Sequence, residues 1–263
     1  PGVAWMAITE ADLKGYAQMY LTNAEGGWTS HKLTSRLAPK INRGDCDPPN
    51  LAVTGSLPRN SPWRVLLIGE HPGRLIESTI ITSLNPPSVI EDKSWIHAGK
   101  ASWNWWCGSG GPSGDESAYT TEGLKYYIDF AAANGLEYTL IDGGWAESDI
   151  TKMRGHVNIP ELVKYAESKN VKIWIWLHYD ATTRQMNEAF PLYEEWGVAG
   201  LKIDFVERND QEGIEFYYRA AEKAAEHRLM LDFHGCNIPT GMQRTYPNIL
   251  GYEAILGMEQ SKA

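Results

Sequence analysis

The chain has 263 residues, 43% of them hydrophobic, and 33 acidic against 24 basic side chains for a net charge of −9. This length suits one large domain or one domain with a piece of another. No apolar run reaches the roughly 18 residues of a membrane span, and no basic stripe marks a nucleic-acid partner. Trp (11) and Tyr (13) outnumber Phe (5), a bias toward rings that join an apolar face to a polar edge and suit stacking on sugars. Cys46, Cys107 and Cys236 have no metal spacing, and their odd number leaves at least one thiol free. The chain opens at Pro1 without a charged and apolar leader, and it reads as a piece of a longer protein.

Val3 to Ile8 reads as a strand, and Ala11 to Tyr20 as a short helix or turn started by Thr9 or Asp12. Glycines and prolines then recur from Gly26 to Pro62 at intervals that fit a β-sandwich. Trp63 to Gly69 is a further strand. Asn85-Pro86-Pro87 reads as an extended linker. The expected division is therefore residues 1–90, the end of an N-terminal β-sandwich with its linker, and residues 91–263, a β/α unit.

From residue 101 the pattern is strand, loop, helix, repeated. Strands are expected at Ser102–Trp106, Tyr138–Asp142, Val171–Leu177, Gly200–Phe205, Leu229–His234 and Ile249–Ala254. Helices are expected at Thr120–Asn134 with Thr121 as cap, from Pro160 to about Lys169, at Thr183–Trp196 and at Glu212–His227. Such alternation implies parallel strands with crossover helices. Asp142, His178, Asp204 and His234 all stand at or just past strand C-termini. A barrel gathers those ends at one mouth, whereas an open sheet uses mainly its switch point. The fold class is α/β, a (β/α)8 TIM-type barrel that is incomplete because only about six strands can be counted.

Gly200-Leu201-Lys202-Ile203-Asp204-Phe205 is the stretch with most chemical content. Alternation puts Lys202 and Asp204 on one face and the apolar residues on the other. The pair reads either as a structural ion pair or as a charged nucleophile beside a lysine that favours its ionised form. Gly108-Ser109-Gly110-Gly111 lacks the frame of a phosphate loop or a nucleophile elbow, and no HExxH occurs. What remains is a set of carboxylates, Asp142, Asp204, Glu253 and Glu259, each of which alone reads equally well as a structural acid. Two of them flanking a glycosidic bond would supply acid and nucleophile.

Several stretches together resemble glycoside hydrolase family 97 nearly end to end. They are Ala7–Leu13, Ser102–Trp106, Ile141–Trp145, Gly200–Phe205, Arg244–Asn248, Gly251–Glu253 and Gly257–Glu259. The resemblance implies a β-sandwich, a barrel, action on α-linked sugars and a calcium ion at the active site. It implies Asp204 as nucleophile, because that position on strand four carries the nucleophile of retaining members. Inverting members have a glutamate after the strand-five histidine, where this chain has Gly235 after His234. Glu259 is then the acid/base, with about 5–5.5 Å between the two carboxyls. Asp142, Lys202, Trp103, Trp105, His178 and His234 are the expected sugar contacts, and Glu10, Glu253 and Asn237 the expected calcium ligands.

The substrate implied is an oligosaccharide or aryl α-galactoside cleaved from its end, in a periplasmic or secreted setting. A β-L-arabinopyranosidase or an inverting α-glucosidase of the same family is the alternative. Outside that class stand a non-catalytic carbohydrate-binding fragment and an unrelated barrel enzyme.

Overall fold

A computed structural model describes residues 4–23, 32–40, 51–105 and 116–261, without the side chains of residues 116, 117, 259 and 260. The expected glycine-rich loop at 108–111, Cys46 and Cys107 lie outside the described residues. The chain forms two compact units. One comprises Pro1–Val89, Glu207–Arg219 and Ile238–Tyr246; the other comprises Ile90–Val206, Ala220–Asn237 and Pro247–Ala263.

In the first unit, β1 (Trp5–Ala11) runs antiparallel to β4 (Trp63–Gly69), and β2 (Met19–Asn23) to β3 (Leu33–Leu37). Two-residue alternation gives β4 an inner face of Val65 and Leu67, which pack with Ala7, Ala11, Leu75, Ile81 and Leu84. The opposite face of the β1/β4 pair carries Met6, Ile8, Leu66 and Ile68, all exposed. The helix considered for Ala11–Tyr20 is absent. Strand β1 continues to Ala11, and Asp12 and Gly15 then take left-handed backbone at φ +55° and +74°. Left-handed residues break an α-helix, so the chain turns there and re-emerges as β2. Short helices α1 (Pro72–Ile76) and α2 (Ile80–Ser83) follow. Asn85 at the supposed linker is buried, donating to the Ile81 carbonyl at 2.8 Å and the Thr240 carbonyl at 2.7 Å.

The second unit contains six parallel strands: β5 (Ala101–Trp103), β6 (Tyr138–Ile141), β7 (Lys172–His178), β8 (Gly200–Asp204), β9 (Met230–Phe233) and β10 (Ile249–Tyr252). Their spatial order equals their chain order. A doubly wound sheet reverses direction at a switch point, and this sheet has none. It is an incomplete barrel. The crossover segments are α3 (Thr121–Ala133), α4 (Ile159–Glu167), α5 (Tyr179–Trp196) and α6 (Gln211–Glu226). The division between the units runs through α6.

Thr120, not Thr121, caps α3 by accepting the Gly123 N–H. Helix α5 begins four residues before the expected Thr183, because His178 at the end of β7 serves as its N-cap through Asp180 N–H. The strands are dry on one side: Ile173, Ile175, Leu177, Leu201, Ile203, Leu231 and Phe233 have no exposed surface. The alternate residues carry polar groups.

Candidate active site

Register on the other side of these strands sets the site. Trp176 stands beside Lys202, Lys202 beside Asp232, and Asp232 beside Gly251; one step further along, His178 stands beside Asp204. Side chains two residues apart on one strand share a face. Neighbouring strands therefore deliver indole, ammonium, imidazole and carboxylate groups to one patch.

Lys202 is its centre. The side chain is 3% exposed, with Nζ 2.9 Å from Asp142 Oδ2 and 3.7 Å from Asp204 Oδ2. The ammonium also lies 4.3 Å from the centre of the Trp103 ring, within cation–π range. Asp142 Oδ2 takes a second donor, Trp103 Nε1, at 2.6 Å, and Oδ1 takes Gly143 N–H at 2.7 Å. The Asp142 backbone N–H donates to Asn104 Oδ1 at 3.0 Å, and Asn104 Nδ2 is buried without a hydrogen-bond partner among the described residues. Asp142, expected as a sugar contact, spends its carboxylate on Lys202, Trp103 and its own loop.

Asp204 keeps more solvent access, with 15% of its side chain exposed. Its Oδ1 accepts Phe205 N–H at 2.7 Å and its Oδ2 accepts Trp176 Nε1 at 3.0 Å. Phe205 has φ +58°, a conformation that bulky residues adopt only at a cost. Its ring stacks on His178 at 5.4 Å. His178 Nδ1 accepts Asp180 N–H, so the proton of a neutral ring sits on Nε2. Trp105, the other indole expected to meet sugar, is 40% exposed.

A second cluster surrounds His234. Its Nε2 lies 3.2 Å from Asp232 Oδ2 and its Nδ1 3.1 Å from Glu253 Oε2, which also accepts Gly235 N–H at 3.3 Å. Burial works to lower the His234 pKa. The hydrogen bond and charge of Asp232, with Glu253 added, outweigh both that and the Lys202 charge, and the pKa is raised. A group whose folded pKa is raised adds stability that is present in acid and lost as pH rises through that pKa. His234→Gln should therefore lower the melting temperature more at pH 5.5 than at pH 9; an equal loss at both would contradict the charged pairing. Gly251 makes room for Asp232, since a Cβ there would collide with Oδ1. Cys236 lies beside this cluster, where burial first, then the Asp232 and Glu253 charges, push its thiol up to about 12.

Glu10 belongs to the first unit. It is buried, and its carboxylate pairs with Arg64 and accepts Met19 N–H at 2.6 Å. Among the described residues the bonds of the Glu253 carboxylate run to Oε2, and Asn237 lies three residues past His234. Among the described residues, no group of three or more His, Cys, Asp or Glu is arranged to hold a metal. Glu259 lies in a short 3-10 turn, Met258–Ser261, and its side chain is outside the described residues.

Trp176 and Asp232 were not among the residues singled out from sequence. The two-residue period that paired Lys202 with Asp204 also pairs Trp176 with His178 and Asp232 with His234, and that signal could have found both.

Residues 103–255 match the family described as Glycoside hydrolase 97, and residues 1–87 match Glycosyl-hydrolase 97 N-terminal. A retaining alpha-galactosidase from Bacteroides thetaiotaomicron is 39% identical over 98% of this chain and 41% of that protein. A glycoside hydrolase family 97 enzyme from Pseudoalteromonas sp. strain K8, solved in complex with acarbose, aligns with TM-score 0.84 and 27% identity over 99% of this chain and 43% of its own. A beta-arabinopyranosidase aligns with TM-score 0.77 and 27% identity over 98% of this chain and 41% of its own. The chain thus spans about two-fifths of the length of each of these relatives. With a family match over more than half of its residues, on a sheet that gathers acid, base and indole groups at one end, the chain belongs to glycoside hydrolase family 97.

Proposed function

We infer that the protein is a retaining, exo-acting α-galactosidase whose nucleophile is Asp204. The observation that carries this is the Asp204 carboxylate. It is partly open to solvent, held by two donors and flanked by a buried lysine, in a chain 39% identical to a retaining α-galactosidase. One Asp204 oxygen attacks the anomeric carbon while protonated Glu259 passes its proton to the departing oxygen. Water, deprotonated by Glu259, then cleaves the galactosyl ester and the sugar leaves with its configuration kept. Gly235 supports this over an inverting α-glucosidase, because glycine cannot supply the second base at that position. A second reading, β-L-arabinopyranosidase, is favoured by the likeness to a beta-arabinopyranosidase, whose sugar is galactose without its hydroxymethyl arm. A periplasmic or secreted setting goes with either reading.

Proton NMR of the first minutes of aryl α-galactoside hydrolysis tests the main reading. The α-anomer of galactose should appear before mutarotation, and β-galactose appearing first would overturn it. A higher kcat/KM on the matching aryl β-L-arabinopyranoside would move the assignment to the second reading. A chain that binds galactose but hydrolyses neither would point to a non-catalytic carbohydrate-binding fragment.

Calcium belongs to the same proposal. Glu253 and Asn237 would offer hard oxygen ligands from the second unit, and waters or sugar hydroxyls would have to complete a shell of six to eight. When bound, the ion would supply positive charge that positions and polarises the substrate. Calcium added after chelation should raise the melting temperature of the parent protein and leave Glu253→Gln nearly unmoved. The same rise in both proteins would remove Glu253 from the ligand set.

A further inference from the structure

We propose that Trp176 is the positioning residue that fixes the attacking carboxylate of Asp204. The inference rests on the nucleophile assignment above and concerns how that group is aimed. The torsion that swings a carboxylate about its Cβ–Cγ bond is broad and roughly two-fold, so packing alone defines it poorly. Two donors define it here. Phe205 N–H holds Oδ1 at 2.7 Å, and Trp176 Nε1 holds Oδ2 at 3.0 Å. Lys202 Nζ stands further off at 3.7 Å and is committed to Asp142. An indole nitrogen is a donor only and does not titrate in the working range of a glycosidase. It can orient a carboxylate without competing for the proton that the reaction moves.

Trp176 is contacted through both its backbone and its ring. The Trp176 carbonyl accepts Trp145 Nε1 at 2.8 Å. The Trp145 ring is buried, edge-on to Tyr193 at 5.9 Å and to Trp196 at 6.2 Å, both on α5. The Trp176 ring meets His178 at 6.2 Å and Phe205 at 6.3 Å. A packed line thus runs from α5 through the loop after β6 to the oxygen proposed to attack sugar. Supporting contacts of this kind hold reacting groups near attack geometry, where an error of about 1 Å costs roughly 100-fold in rate.

The test compares the parent protein with Trp176→Phe and with replacement of Trp176 by benzothienylalanine, which keeps the bicyclic shape and lacks the N–H. Each is treated with an activated, fluorine-substituted α-galactosyl fluoride. The anomeric C–F bond breaks, fluoride leaves, and an Asp204 oxygen bonds to the anomeric carbon. Labelling is followed by intact mass and located by peptide mapping. Galactose affinity and melting temperature are measured beside it. Both replacements should label Asp204 roughly 10- to 100-fold more slowly, with galactose affinity within about twofold of the parent. The benzothienylalanine protein should melt with the parent. Labelling of that protein at the parental rate overturns the inference, as does a loss of galactose affinity that matches the loss of rate. Label on a residue other than Asp204 in the parent overturns the nucleophile assignment and this inference with it, and the parent measurement separates the two failures.

Discussion

Asp204→Ala should lower hydrolysis of an aryl α-galactoside by roughly 10⁴- to 10⁶-fold, the scale on which a lone covalent nucleophile is lost. Azide should restore a large part of the rate when the leaving group is good, because the small anion enters the space that the carboxylate vacates. It attacks the anomeric carbon from that face while the aryloxide departs, so the product is β-galactosyl azide. Chromatography and NMR identify that product directly. A variant that keeps its activity, or one that is dead and stays dead in azide, would remove Asp204 as nucleophile. The surroundings of the side chain explain why the fold should survive: Asp204 is partly exposed, and its two donors, Phe205 N–H and Trp176 Nε1, lie where water or azide can take the vacated place.

Lys202→Met should have the larger effect on stability. The ammonium is buried between two carboxylates and over an indole face. Removing one member of a buried ion pair leaves the other charged and uncompensated, which costs about 3–5 kcal/mol. For a unit of this size that is a fall of about 10 °C in melting temperature. Adding Asp142→Asn to Lys202→Met should recover part of the loss, because the amide no longer leaves an unpaired charge beside Trp103. Urea unfolding of the four proteins of this cycle gives the coupling directly. A cost below about 1 kcal/mol for Lys202→Met would mean that water reaches the ammonium and the site is wetter than its 3% exposure indicates.

The two predictions differ because the two residues of one strand differ in their neighbours, and that difference is invisible in Gly200–Phe205 taken alone. Alternation was enough to put Lys202 and Asp204 on one face, and the structure agrees. It could not say that Lys202 would be sealed under Trp103, or that Asp142, sixty residues earlier, would be its nearer carboxylate at 2.9 Å. Those are cross-strand contacts, set by a register that runs from β6 to β8 through β7. Asp142 is an expected sugar contact at a strand end, and position alone did not reveal that its carboxylate also accepts from Lys202, Trp103 and Gly143 N–H. His178 is similar. It is an expected sugar contact after a buried strand, and one of its nitrogens also caps the next helix.

Local detail was also undecided. Ala11 to Tyr20 was open to a short helix or a turn, and Asp12 and Gly15, in left-handed backbone, make it a turn. Asn85-Pro86-Pro87 reads as a linker just before the division at Val89/Ile90, and what the sequence did not show is that Asn85 is buried and bonded to Thr240, a partner 155 residues away. Trp176 escaped notice for a different reason. Trp174 and Trp176 in a strand of Ile, Leu and Trp read as core, and only its 3.0 Å bond to Asp204 separates Trp176 from a packing residue.

What the sequence determined by itself was periodicity: which segments are strands, that they run parallel with helices between them, and which side chains share a face. These follow from backbone geometry within each segment, and they carried the barrel class and the Lys202–Asp204 pair. What only the tertiary structure decided was partnership: which carboxylate the lysine meets, which indole holds Asp204, and which histidine stands between two acids that raise its pKa. Partnership depends on register between strands tens of residues apart and on burial that no single segment possesses. Electrostatic and hydrogen-bond energies change several-fold with those two quantities.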